Sequence, residues 1–201
     1  DKKSGRLVIE AEGIHYAYSN QPILRDFSTI IRRGDKIGIV GPNGSGKTTL
    51  LRILLGELLK QKGVINLGTN LDIAYFDQLR SQLNEDQSIL DNVGQGRDVV
   101  TINGKNRNIY GYLEDFLFSK DRVNAPISAL SGGERNRLLL ARLFTQSTNL
   151  LVMDEPTNDL DFETIAWLEN FLANYENTVI VVSHDRHFLD AVCTHISDID
   201  F

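Results

Sequence analysis

The octapeptide Gly41-Pro42-Asn43-Gly44-Ser45-Gly46-Lys47-Thr48 constrains this chain more than any other stretch. It fits the pattern G-x-x-x-x-G-K-[ST], follows the apolar run Lys36 to Val40 and opens an apolar helical run at Thr48. Glycines let the backbone turn tightly enough for successive N–H groups to converge on one anion. The start of the following helix adds its partial positive charge at the same place. Lys47 is then expected to reach β- and γ-phosphates, and the Thr48 hydroxyl to ligate Mg²⁺. A strand–loop–helix unit of this kind belongs to α/β folds.

The flanking periodicity agrees. Strand-like alternation covers Leu7 to Glu10, Ile14 to Tyr18, Phe27 to Ile31 and Lys36 to Val40, with turn formers at Ser19-Asn20-Gln21-Pro22 and Arg33-Gly34-Asp35. A buried helix is expected from Thr48 to Leu59, ended by Lys62-Gly63. The more polar segment Ser81 to Pro126 reads as two helices, Ile89 to Val93 and Tyr110 to Phe118. Gly94 to Asn108 between them reads as a loop or small hairpin. Beyond it the pattern predicts a helix (Gly132 to Phe144), a strand (Leu150 to Met153), a helix (Phe162 to Asn174), a strand (Thr178 to Ser183), a helix (Arg186 to Ala191) and a closing strand around Ile196 to Phe201. Strands alternating with helices imply a parallel sheet covered on both faces.

Composition narrows the class further. A chain of 201 residues, 41% hydrophobic, is long enough for a self-sufficient core and excludes a disordered or collagen-like chain. With Cys193 alone no internal disulfide forms, which fits a reducing compartment. No apolar run reaches the roughly 18 residues of a membrane span, and the first residues do not read as a signal peptide. A net charge of −6 excludes a globally basic nucleic-acid footprint, though not a local one.

Two further segments carry chemistry. Leu150-Leu151-Val152-Met153-Asp154-Glu155 is an apolar strand ending in two carboxylates at the edge where open α/β sheets bind ligands. Beside a phosphate loop, Asp154 is placed to hold Mg²⁺ and Glu155 to polarise an attacking water, rather than merely solvating a strand end. In Leu130-Ser131-Gly132-Gly133-Glu134, Ser131 and Glu134 form a capping box. Capping does not require two glycines, so the bare helix start is also read as an anion contact.

In this order the segments resemble the nucleotide-binding domain of ATP-binding cassette (ABC) proteins over about residues 6 to 200. Gly41 to Thr48 resembles its Walker A motif, Leu150 to Glu155 its Walker B motif and Leu130 to Glu134 its LSGGE-type signature. Asp154-Glu155-Pro156-Thr157-Asn158-Asp159-Leu160-Asp161 is similar to the EPTN-x-LD run of the ABC-F subfamily. The signature helix and Asn103-Gly104-Lys105 are most similar to the second cassette of Uup-type members. Phe162 to Phe201 looks more like the first cassette of another ABC-F type.

The resemblance implies a P-loop NTPase fold of ABC type: a mostly parallel core sheet with helices on both faces, an N-terminal antiparallel β-subdomain and a helical middle lobe. The divisions fall at 1–80, 81–130 and 131–201 of one cassette, which stops short of a usual cassette end. It implies ATP and Mg²⁺ as cofactors and Mg²⁺-dependent hydrolysis. Glu155, His184 and Gln78 are implied as catalytic, and Thr48, Gln78 and Asp154 as metal ligands. Nucleotide contacts are implied for Gly41, Pro42, Asn43, Gly44, Ser45, Gly46, Lys47, Thr48 and Thr49, and across a dimer for Ser131, Gly132 and Gly133. Tyr18 falls at the adenine-stacking position, with Tyr16 on the same strand face as the rival.

The implied partner is a second cassette, in the same longer chain or as a homodimer, paired head to tail around two ATP molecules, with Asn158 to Asp161 touching the opposing subunit. ABC-F proteins have no membrane domain, mostly act on ribosomes, and in Uup-type members are linked to branched DNA, so a cytoplasmic location is expected. Two rival readings are the ATPase subunit of a membrane transporter and a nucleic-acid module using Lys105 and Arg107. The EPTN run speaks against the first.

Overall fold

The computed structural model describes residues 5–42, 44–102, 104–158 and 160–199. Asn43, Asn103, Asp159 and Phe201, named above, lie outside them. Two sheets dominate. Strands β1 (Leu7–Tyr18), β2 (Gln21–Arg32) and β4 (Lys62–Leu67) form an antiparallel sheet in the order β2-β1-β4. The core sheet is five-stranded and parallel throughout, in the order β10-β3-β9-β8-β5. Its strands are β3 (Lys36–Val40), β5 (Ile73–Tyr75), β8 (Leu150–Asp154), β9 (Thr178–Ser183) and β10 (His195–Asp198).

Alternation along the core strands divides the interior in two. Val40, Leu151, Met153, Val179 and Val181 join one cluster, with residues of α4 (Gly132–Leu143), α5 (Phe162–Ala173) and α6 (Arg186–Val192). Ile37, Ile39, Leu150, Val152, Ile180 and Val182 join the other, with α1 (Lys47–Leu54) and the antiparallel sheet. Both faces of the sheet are thus covered, which is why its strands read as near-continuous apolar runs.

Several boundaries differ from expectation. The first two predicted strands are one, bent at bulges around Gly13 (φ 59°), whose N–H donates to Ser28 Oγ at 2.9 Å. Pro22 lies inside β2, an edge strand where its missing N–H is tolerated. The turn before it is the two-residue Ser19-Asn20, both at positive φ, as tight hairpins require. Helix α1 stops at Leu54 rather than Leu59, because Gly56 (φ 77°) donates to the Ile53 carbonyl and ends the turn. The segment beyond it supplies β4 and β5, neither of which has alternation strong enough to predict.

The middle lobe holds α2 (Ile89–Gly94), α3 (Ile109–Asp115) and, between them, a hairpin of β6 (Val99–Ile102) and β7 (Lys105–Asn108). Both short helices are capped, by Ser88 and Asn108. Contacts of two kinds stand out among those that tie the lobe to the core. Tyr112 donates its hydroxyl proton to the Ala141 carbonyl at 2.6 Å, and Phe116 stacks among Phe144, Trp167 and Phe171. The signature helix α4 is thereby held by the lobe on one side and by α5 on the other.

Candidate nucleotide site

The loop between β3 and α1 opens onto a cleft of about 740 Å³. Gly44, Gly46, Lys47, Thr48 and Thr49 line it from the loop, and Asp154 and Glu155 from the tip of β8. Two loop glycines are required sterically and a third by its backbone conformation. A Cβ on Gly41 would collide with Ser45 Oγ and the Ile199 carbonyl. One on Gly46, at φ 95°, would collide with the Ile23 side chain. Gly44, also at positive φ, meets nothing within 4 Å, so its requirement is conformational alone. Ser45 Oγ is buried without a hydrogen-bond partner among the described residues.

Lys47 is 7% exposed and points back across its own loop, donating to the Gly41 carbonyl and standing 3.3 Å from Glu155 Oε1. Among the described residues Glu155 Oε1 makes no hydrogen bond despite its burial, so the approach is ionic rather than directional. The other oxygen, Oε2, lies 2.8 Å from His184 Nδ1 and accepts the His184 N–H at 3.3 Å. Glu155 has φ 46°, a left-handed conformation uncommon outside glycine, held by its own N–H on the Val182 carbonyl at 2.7 Å. His184 is fixed between the end of β9 and α6, whose N-cap Asp185 accepts from Phe188 N at 3.1 Å.

Thr48 donates its hydroxyl proton to Asp154 Oδ2 at 3.2 Å. Burial pushes the Asp154 carboxyl up from the usual range, and the charges of Asp77 and Glu155 add to this, against the Thr48 hydrogen bond and Lys47. Among the described residues no group of three or more His, Cys, Asp or Glu could hold a metal by itself. A hydroxyl and one carboxylate beside a phosphate cradle instead suit Mg²⁺, which binds through few protein ligands plus phosphates and water.

The other expected residues are distributed differently. Gln78 lies on the 3₁₀ turn Phe76–Gln82 after β5, exposed, while its neighbours Asp77 and Arg80 line the cleft. Tyr18 ends β1 opposite Gln21 and is 68% exposed, outside the cleft lining; Ile23 of β2 is the apolar residue that lines it. Sequence reasoning missed Ile23, Asp77 and Arg80 as lining residues. Asn158 also lines the cleft, although it had been expected only at a subunit contact.

The signature segment is not part of this cleft. Ser131 Oγ accepts from Glu134 N at 3.2 Å and Glu134 Oε1 accepts from Ser131 N at 3.3 Å, completing the capping box. Burial alone would raise the Glu134 carboxyl, but the Ser131 hydrogen bonds and the Arg122 charge outweigh it and hold it low. The two glycines differ. A Cβ on buried Gly133 would strike Thr164 of α5, whereas Gly132 meets nothing within 4 Å. Gly133 therefore has a packing reason, and only Gly132 leaves the helix start open. Gly132 lines a separate, smaller cleft of about 170 Å³, which shares Arg80 and Asn158 with the first.

A phosphate loop at the end of an inner parallel strand, facing an acidic strand tip, defines a P-loop nucleotide-binding domain. The chain matches the family model described as ABC transporter over residues 24–158. It is 52% identical over 192 residues to the ATP-binding protein Uup of Escherichia coli (strain K12), covering 96% of this chain and 30% of that protein. The Energy-dependent translational throttle protein EttA of Mycobacterium tuberculosis (strain CDC 1551 / Oshkosh) is 38% identical over 192 residues, covering 96% of this chain and 34% of that protein. Among solved structures, cbiO1 from Clostridium perfringens, described as part of the ABC transporter complex cbiONQ, superposes with a TM-score of 0.71. That match covers 98% of this chain and 86% of that one at 23% identity, and shows the fold. The chain belongs to the ABC ATPase family and to its Uup/EttA-type branch, ABC-F. It spans about a third of the length of these two curated relatives. No helix among the described residues is long and apolar enough to cross a membrane.

Proposed function

We propose that this cassette binds ATP in the phosphate-loop cleft and hydrolyses it only when a second cassette closes over that site, working as a switch on a ribosome or another nucleic acid. The observation that carries the reading is the arrangement of Lys47, Glu155 and His184 beside the Thr48–Asp154 pair, with Ser131 in neither cleft lining. A triphosphate competes with Glu155 for Lys47. Once Lys47 turns to phosphate, Glu155 is released from its cation while still oriented by His184. It then accepts a proton from water as the water oxygen attacks the terminal phosphorus and the bond to the bridging oxygen breaks, leaving ADP. Mg²⁺ would be held by Thr48 and Asp154, with Gln78 as the further ligand the family resemblance implies, and would supply charge neutralisation on the phosphates.

A facing cassette would supply Ser131, Gly132 and the start of its own α4 to the terminal phosphate. ATP would thus favour the closed pair, and its loss would release it. The relative named as a translational throttle supports a role in translation. The test is phosphate release from Mg²⁺-ATP over a series of protein concentrations. Specific activity that climbs steeply supports self-pairing, and a near-zero rate with tight ATP binding supports a half-site awaiting another cassette. A substantial rate independent of concentration overturns the paired mechanism.

A further inference from the structure

Arg80 has no role so far, although it lines both the phosphate-loop cleft and the smaller cleft beside Gly132. It projects from the 3₁₀ turn Phe76–Gln82 and is exposed; among the described residues its guanidinium makes no hydrogen bond or ion pair, and its charge acts only at longer range on Asp77 of the same turn. Three other arginines are engaged. Arg135 holds Glu85 at 2.5 Å, Arg122 holds Glu134 at 2.6 Å, and Arg142 donates to the Gln82 carbonyl at 2.6 Å. Inside the cleft, Lys47 is already engaged by Glu155 and Gly41. The described lining carries three carboxylates, Asp77, Asp154 and Glu155, against two cations, Lys47 and Arg80. An incoming polyphosphate meets net negative charge there unless both cations turn to it.

We infer that Arg80 is a further nucleotide-contacting residue, whose guanidinium binds the terminal phosphate of ATP in the phosphate-loop cleft. The inference rests on the ATP-binding reading above. Guanidinium presents a planar fork of donors that matches phosphate oxygens in a way an ammonium cannot. Arg80 shares its lining with Glu155 and Asn158, the end of the cleft where the reacting phosphate would lie. Because it also borders the cleft beside Gly132, a phosphate held by Arg80 lies toward the face that a second cassette would cover.

The test is calorimetric titration of Mg²⁺-ATP and Mg²⁺-ADP into the protein and its Arg80→Ala and Arg80→Lys variants, with Lys47→Ala as a control. Arg80 is exposed and, among the described residues, makes no hydrogen bond or ion pair, only a charge interaction with Asp77, so both variants are expected to keep the thermal midpoint of the parent. Loss of a charge-assisted contact should weaken ATP binding roughly 10- to 100-fold in Arg80→Ala and leave ADP within about twofold. Arg80→Lys should recover only part of the loss. Equal weakening of ATP and ADP, no weakening of either, or full rescue by lysine would each overturn the contact, the last by showing a diffuse charge effect. If the parent protein binds neither nucleotide, the ATP-binding reading itself fails. If only Lys47→Ala loses binding, that reading stands and the role of Arg80 does not.

Discussion

His184 Nδ1 lies 2.8 Å from Glu155 Oε2, while the other oxygen of the same carboxylate stands 3.3 Å from Lys47 Nζ. The two partners come from either side of β8 along the chain: Lys47 follows β3, and His184 follows β9. In space β9 lies between β3 and β8, so one side chain at the tip of β8 reaches both. The left-handed backbone at Glu155 turns its carboxylate into that position.

Replacing the carboxylate by an amide keeps the shape and removes the base. Glu155→Gln is expected to slow ATP turnover roughly 100- to 10,000-fold while leaving ATP affinity within a few-fold. Single-turnover phosphate release and equilibrium binding check this together. Loss of affinity in place of turnover would sink the general-base assignment.

Lys47→Ala removes both a phosphate ligand and the cation facing Glu155. ATP affinity should fall at least roughly tenfold. Stability should fall too, by about 1–3 kcal/mol, because a largely buried carboxylate oxygen is left without its charge partner. The double variant with Glu155→Gln should regain most of that stability, though not the affinity. A double-mutant cycle in urea reads the coupling, and strict additivity would mean the ion pair contributes nothing.

Gly132 and Gly133 are adjacent and should respond oppositely to alanine. At Gly133 the added methyl meets Thr164 of α5 and should cost about 1–3 kcal/mol. At Gly132 there is room, so stability should hold or rise slightly through helix propensity. Adding Thr164→Ala to Gly133→Ala should return part of the loss. Equal behaviour of the two single variants in chemical unfolding would refute this division of roles.

Cys193 should be slow to react with thiol reagents in the folded protein. Burial, with a smaller contribution from the Asp190 charge, pushes its thiol up to about 12 from 9.0. The sulfur also packs against Gly38 of β3 beneath the phosphate loop. The folded state holds this proton more tightly than the unfolded chain. Unfolding therefore releases it between about pH 9 and 12, and the contribution to stability is full below that window and lost across it. Labelling kinetics at pH 8, with and without denaturant, test the first point. The pH dependence of stability relative to Cys193→Ala tests the second.

Much of the architecture was legible beforehand for a local reason. A glycine-rich loop between an apolar strand and a helix, a capping box at Ser131 and apolar runs at Leu150 and Thr178 each encode their conformation within a few residues. Where such signals were weak, the reading stopped short. β4 has mostly exposed side chains and β5 is three residues long, so neither shows a period, and both exist because β1 and β8 offer hydrogen-bonding edges. The end of α1 was misjudged because leucines continued past Gly56, whose positive φ had already broken the helix.

The sequence by itself determined the chemistry available: a phosphate cradle, a lysine, a hydroxyl, two adjacent carboxylates and a histidine at a strand end. The tertiary structure alone decided which of them meet. Glu155 and His184 are 29 residues apart, yet touch because β8 and β9 pair in parallel. Ile23 closes over Gly46, Thr164 dictates Gly133, and Arg80 and Asn158 converge on one cleft from segments far apart in the chain. Backbone preference acts over a few residues, whereas strand order and sheet packing set distances between side chains that no local pattern records.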